Sequence, residues 1–173
     1  MLLKITSYDA LDERRLMDVY SESNYENTDY FYPDEPDKAK AVRMVEAGFL
    51  DYLKNGFFAS PGNTYWILEE HSEWVCAMRT TLIVPAAYYI EALETRPDRR
   101  RRGCASRLIA CVIDELKQNG PFRLCDCVSK RNEASLAAHL KCGFRIVSEE
   151  GLDYLSGERD DRHYGLEYVC SGE

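Results

Sequence analysis

Residues 87–119 read AYYIEALETRPDRRRRGCASRLIACVIDELKQN, and three textures follow one another within this stretch. The run Ala87 to Thr95 is rich in aromatic and β-branched residues and reads as a strand. Four consecutive arginines, 99 to 102, then lead into Gly103. Beyond it Ala105, Leu108, Ile109, Val112, Ile113 and Leu116 recur at helical spacing until Asn119-Gly120-Pro121, which predicts an amphipathic helix. The charge at the joint is unusual. A helix N-terminus carries a partial positive charge and favours acids, so arginines in the entering turn oppose it unless an anion binds there. Gly103 lets the backbone approach a ligand, the free first-turn N–H groups are donors, and guanidinium groups add charge-assisted bonds. Together these describe a cradle for a pyrophosphate. A solvated arginine run beside an ordinary glycine turn is the plain alternative, and a nucleic-acid patch a third.

Upstream of this joint, TYWILE from Thr64 and EWVCAMRTTLIV from Glu73 read as two further strands, close enough in sequence to pair antiparallel with the 87–95 run. Leu2 to Thr6 reads as a first strand, and Ser7 or Asp9 as the cap of a helix carrying Leu11, Leu16, Val19 and Tyr20. A polar, tyrosine-rich loop, 24–36, follows. A second helix starts near Pro36-Asp37, with Val42, Val45, Phe49 and Leu53 on one face, and stops at Asn55-Gly56. Downstream come a strand FRLCDCV, a helix from Asn132 to Lys141 ended by Cys142-Gly143, and two closing strands, FRIVSE and HYGLEYV. The sum is one α+β domain, 1–173, with a mixed, mostly antiparallel sheet of about six to seven strands flanked by about four helices.

The bulk properties exclude several classes. At 173 residues a core forms without staples. No apolar run is long enough for a membrane helix, and no signal sequence is evident, so the expectation is a cytoplasmic protein with no membrane partner. A net charge of −8 disfavours nucleic acid as a partner, the arginines notwithstanding. The seven cysteines are odd in number and scattered, and Cys125-Asp126-Cys127 lacks the second pair of a zinc site, so reduced thiols and no metal are expected.

Arg100-Arg101-Arg102-Gly103-Cys104-Ala105 resembles the (Gln/Arg)-x-x-Gly-x-(Gly/Ala) signature of the GNAT acetyltransferases, and Asn132-Glu-Ala-Ser135-Leu-Ala-Ala-His139-Leu-Lys-Cys-Gly143-Phe144 resembles the same family's Asn-x-x-Ala-x-x-x-Tyr-x-x-x-Gly-Phe stretch. The likeness is close over about residues 87 to 150. It implies acetyl-CoA as cosubstrate: strand backbone at Leu93, Glu94 and Thr95 along the pantetheine, amides from Arg101 to Ser106 on the pyrophosphate, and Asn132 and Ser135 nearby. His139 stands where many members carry a tyrosine acid.

The chemistry so implied is direct attack of a neutral amine on the acetyl thioester, with no covalent enzyme nucleophile and only a backbone role for Cys104. Helical spacing puts Asn132, Ser135 and His139 on one stripe, expected to face a cleft, with His139 as the acid. An ideal strand puts Glu91 on one face with Tyr89, Leu93 and Thr95, which makes it the expected base or water-positioning group. Glu94 then points oppositely, and a bulge between the two would reverse the assignment. The acceptor, a small-molecule or peptide amine, is expected to be recognised by the 24–36 loop, including Tyr25, Tyr30, Phe31 and Tyr32, the second helix, and residues 151–164. A silent acyl-CoA-binding regulatory module stays open as the alternative, as does pairing into a homodimer.

Overall fold

The alternating runs fold as the sequence suggests, and the computed structural model describes residues 1–172. Strand β1 (Leu2–Ile5) pairs with β2 (Thr64–Glu70), β2 with β3 (Glu73–Val84) and β3 with β4 (Ala87–Thr95), all antiparallel. β4 pairs in parallel with β5 (Phe122–Ser129), and β9 (His163–Cys170) lies between β5 and the edge strand β6 (Arg145–Ser148). Among the described residues this makes a seven-stranded mixed sheet, with a separate hairpin of β7 (Gly151–Leu152) and β8 (Arg159–Asp160).

The helices form two layers. α1 (Glu13–Val19) packs on one face of the sheet, burying Leu16 and Val19 with Tyr20, Tyr65, Ile67 and Ala77. α2 (Ser21–Phe31) and α3 (Lys38–Tyr52) complete that side. α4 (Cys104–Lys117) covers the opposite face, burying Leu108, Ile109, Val112, Ile113 and Leu116. Each such side chain removed from water stabilises the fold by about 1.5–3 kcal/mol. α5 (Glu133–Lys141) lies beside α4, contributing Ala138 to the same core.

Three expectations need correction. The first helix begins at Glu13, not near Ser7: Asp12 accepts the Arg15 N–H at 3.1 Å, whereas Ser7 precedes only a short turn and makes no side-chain cap. The tyrosine-rich loop contains α2, whose inward face is Asn24 and Thr28, four residues apart. A helix that buries polar residues shows no apolar stripe to the sequence reader. α3 does not stop at Asn55-Gly56 but runs on through a π-turn, Leu53–Phe57, which buries Leu53 and Phe57.

The feature that shapes the site lies in β4. Arg79 of β3 stands opposite Glu91 and Ala77 opposite Glu94, so β4 carries one extra residue between them. Ala92 absorbs it with φ +50°, a left-handed conformation that costs a β-carbon residue energy unless its surroundings hold it. Tyr20 does so, its hydroxyl donating to the Ala92 carbonyl at 2.5 Å while accepting from the Tyr65 hydroxyl at 2.8 Å. β4 and β5 pair only from Ala87↔Arg123 to Tyr89↔Cys125. Past that point they part, and the sheet opens.

Candidate active site

The opening is filled from one side by the turn into α4 and the start of α5. Arg101 at φ +60° and Gly103 at φ +74° bend the chain so that the first turn of α4 faces the gap. Gly103 makes no side-chain cap, and that turn carries no acid. The N–H groups at the helix start thus remain available. A carbon added at Gly103 would meet nothing within 4 Å, so the space before those amides is open.

A cavity of roughly 620 Å³ occupies this place. It is lined by Leu93, Glu94, Thr95, Arg100, Arg101, Gly103, Cys104, Ala105, Ser106, Asn132 and Ser135, joined by residues including Lys141. Asn132 has a second task, accepting the Ser135 N–H at 3.0 Å as the cap of α5. Arg102 is exposed and outside the lining. Arg100 bonds the Thr95 carbonyl at 3.3 Å and Glu94 at 3.0 Å, and also pairs with Glu22 of α2. Arg99 is tied to Glu73 and Asp98. Arg101 and Lys141 have no ion pair among the described residues and are left to meet an external anion. The amides, the open glycine and these two cations fit a diphosphate.

A second cavity, about 580 Å³, lies on the other side of the β4 bulge, between α2, α3 and the sheet. Leu93 and Glu94 line both cavities. Burial raises the Glu94 carboxyl above its ordinary range; Arg100 pulls it back and Glu22 and Glu26 push it further up. Phe31 and Tyr32 line this second cavity as the sequence suggested, but Tyr25 and Tyr30 do not. Gly151, Asp153 and residues 158–163 instead border a separate, charged hollow of about 580 Å³ with Tyr89 and Cys127.

Two expected side chains sit elsewhere. The bulge places Glu91 and Glu94 on the α1–α3 face, opposite Arg79 and Ala77, while Leu93 and Thr95 turn to the α4 face. Glu91 is held in the wall by Arg79 at 3.2 Å and by the Thr81 hydroxyl, which donates at 2.6 Å. His139 does not join Asn132 and Ser135 in facing the cleft. It is fully buried, edge-on to Phe144, with Nδ1 donating to the Ser135 carbonyl at 2.8 Å. Its Nε2 lies 2.7 Å from Asp126 Oδ2, a charge contact short of linear hydrogen-bond geometry. Ser135 Oγ, 3.5 Å from Nδ1, is the polar atom between this ring and the cavity.

Sequence reading missed Asp126, Arg79 and Tyr20. The first two carried a signal, a charge on an otherwise apolar stretch of strand, since Asp126 shares a face of β5 with Leu124 and Val128. Tyr20 carried none. The described residues contain no group of three or more metal-binding side chains arranged around a common point, and no helix long and apolar enough to cross a membrane.

The model of the acetyltransferase (GNAT) family matches residues 16–144. Among solved structures, the PaiA N-acetyltransferase of Thermoplasma acidophilum, in complex with coenzyme A, superposes with a TM-score of 0.67 at 14% identity, over 98% of this chain and 99% of that one. The ribosomal-protein-S18-alanine N-acetyltransferase of Escherichia coli gives 0.62 at 18%, over 100% and 96%. An aminoglycoside 6'-acetyltransferase type Ii gives 0.62 at 14%, over 98% and 96%. At these identities the likeness is one of fold. No curated protein sequence matches the chain.

Proposed function

We propose that this chain, which belongs to the acetyltransferase (GNAT) family, transfers an acetyl group from acetyl-CoA to a primary amine by direct attack in a ternary complex. The observation that carries this reading is the meeting of two cavities at Leu93 and Glu94, on the bulged end of β4. One has the diphosphate cradle, and the other opens toward α2 and α3. A donor and an acceptor bound in the two meet at the bulge, where alignment alone lowers the barrier.

Acetyl-CoA supplies the activated acyl group as a thioester. The α4 amides hold its diphosphate, Arg101 and Lys141 balance the charge, and the Leu93–Thr95 backbone lines the path inward. Glu94, at the junction, accepts the amine proton directly or through one water, and burial has moved it in the direction a base near neutral pH requires. The Ser135 hydroxyl protonates the departing sulfur and is reprotonated from His139, whose Nδ1 proton moves from the Ser135 carbonyl at 2.8 Å to the hydroxyl at 3.5 Å. Asp126 holds the imidazolium on the far side. His139 thus keeps its acid role but works through Ser135, and Glu91 fixes Arg79 in the wall.

The test is release of free thiol from acetyl-CoA in the presence of a panel of amines, with the product identified by mass spectrometry. An acetylated amine supports the enzyme. Saturable acetyl-CoA binding with no product across the panel would assign the chain to the acyl-CoA-binding modules instead.

A further inference from the structure

Glycine is a poor helix former, yet Gly48 stands in the middle of α3. No neighbour needs the room: a carbon built on Gly48 meets nothing within 4 Å. The space it leaves belongs to the acceptor-side cavity, whose other walls include Phe31, Tyr32, Met44, Val45, Phe49 and Tyr52. Phe31 and Tyr52 are 58% and 40% exposed, so apolar surface that packing has left uncovered converges on this one place.

The polar groups around the cavity are not arranged for a hydrophilic polycation. Arg79, its most deeply set charge, is matched by Glu91 and lies over the rings of Phe49, Tyr52 and Phe57 at 5.6, 5.1 and 5.5 Å. Glu91 takes its Nη2, and the rings face the rest of the guanidinium, whose Nε and Nη1 have no hydrogen-bond partner among the described residues. Among the described residues the cavity is lined by a single carboxylate, Glu94, which sits at one end and shares Arg100 with Glu22 of α2. Glu94 is at the junction, with Glu22 and Glu26 of α2 close enough to raise its pKa. Ser23, Asn24 and Asn27 of α2 add uncharged polar groups, and the rest of the wall is mainly apolar. One pole for a cation and a largely apolar remainder thus describe the complement of a ligand with a single amine on a hydrocarbon body.

We propose that the acceptor is a primary amine carried by an apolar, ring-sized body, of the arylalkylamine class, with the body seated in the space left by Gly48 and the amine directed by Glu94 toward Leu93. This rests on the acetyl-transfer reading above. It excludes aminoglycosides and polyamines as preferred acceptors, because their many hydrated groups would lose water against Val45, Met44 and Phe49 without partners. It also excludes amino acids, whose carboxylate would have to displace Glu91 from Arg79.

The experiment compares kcat/KM of the full chain for phenethylamine, methylamine, spermidine, kanamycin, phenylalanine and a short peptide beginning with phenylalanine. Phenethylamine is expected to exceed methylamine by at least about 10²-fold, from the apolar surface it buries, and to exceed the other four. Gly48→Ala and Gly48→Leu, which improve the helix, should lower the phenethylamine-to-methylamine ratio stepwise, the larger by tenfold or more, without a lower melting temperature. A preference for spermidine, kanamycin, phenylalanine or the peptide, or a ratio unchanged in both Gly48 variants, overturns the acceptor class and leaves acetyl transfer standing. Binding of acetyl-CoA with transfer to none of the six overturns both.

Discussion

His139 Nε2 stands 2.7 Å from Asp126 Oδ2, both side chains almost wholly out of water, while Nδ1 donates to the Ser135 carbonyl. Burial pushes the imidazole pKa down, but the Asp126 carboxylate and the Ser135 carbonyl outweigh it, so the value ends above its ordinary 6.5. With Nδ1 committed as a donor, a neutral ring would turn a lone pair toward the carboxylate; the imidazolium turns a proton.

A pH dependence of stability follows with a definite sign. The folded pKa lies above the unfolded one, so the stabilisation is complete below about pH 6.5 and is lost as pH rises through the folded value. Asp126→Asn leaves burial as the main influence on the ring and should reverse that trend, at a cost of about 3–5 kcal/mol for the broken buried pair. Urea unfolding from pH 5.5 to 8.5 reads both; an identical slope in the variant would refute the pairing.

Gly103→Glu should abolish the protection that acetyl-CoA gives against thermal unfolding. The wild-type chain is expected to gain about 2.7 kcal/mol at a hundredfold excess over Kd. The variant places a carboxylate, on a strained φ of +74°, in the open space before the α4 amides. Calorimetry with acetyl-CoA provides the check, and unimpaired binding would remove the cradle.

Glu94→Gln should lower kcat by about 10²–10⁴-fold and remove the acidic limb of the pH–rate profile. Cofactor affinity should stay within a few-fold, because the amides of α4 remain. The elevated carboxyl pKa places that limb above the usual carboxylate range. If Glu91→Gln instead removes the limb while Glu94→Gln does not, the assignment of the base moves to Glu91.

Ser135→Ala keeps the His139–Asp126 pair but removes the hydroxyl between the ring and the cavity, so turnover should fall by about 10²-fold where proton delivery to sulfur limits the rate. His139→Ala should lose at least as much, with acetyl-CoA affinity again within a few-fold. Steady-state rates alongside binding measurements separate the two effects. Full activity in both variants would leave His139 a core residue only.

Tyr20→Phe removes the hydroxyl that holds the Ala92 carbonyl and leaves the Tyr65 hydroxyl without its buried partner. A loss of about 1–3 kcal/mol is expected in denaturant unfolding. Turnover should fall further than acetyl-CoA affinity, since the loosened bulge carries Leu93 and Glu94 at the junction.

The sequence by itself determined what depends on neighbours along the chain. The apolar stripe of α4, the strand character of β2 to β4, and the starts of α3 near Asp37 and of α5 at Asn132 are local patterns, and each was legible. So was the arginine turn before Gly103, because a helix dipole and an opposing charge conflict within a single turn. Tertiary structure decided the rest. α2 shows no apolar stripe and folds against α3 with Asn24 and Thr28 inside. The bulge at Ala92, held by Tyr20 from 72 positions away, turned Glu94 rather than Leu93 to the face shared with Glu91. His139 occupies the helical stripe its spacing gave it, but Asp126 on a neighbouring strand draws its ring into the core and leaves Ser135 facing the cavity. At the bulge and at His139 a hydrogen bond or ion pair between distant elements chose between conformations that local spacing leaves nearly equal, whereas α2 was set by its packing against α3.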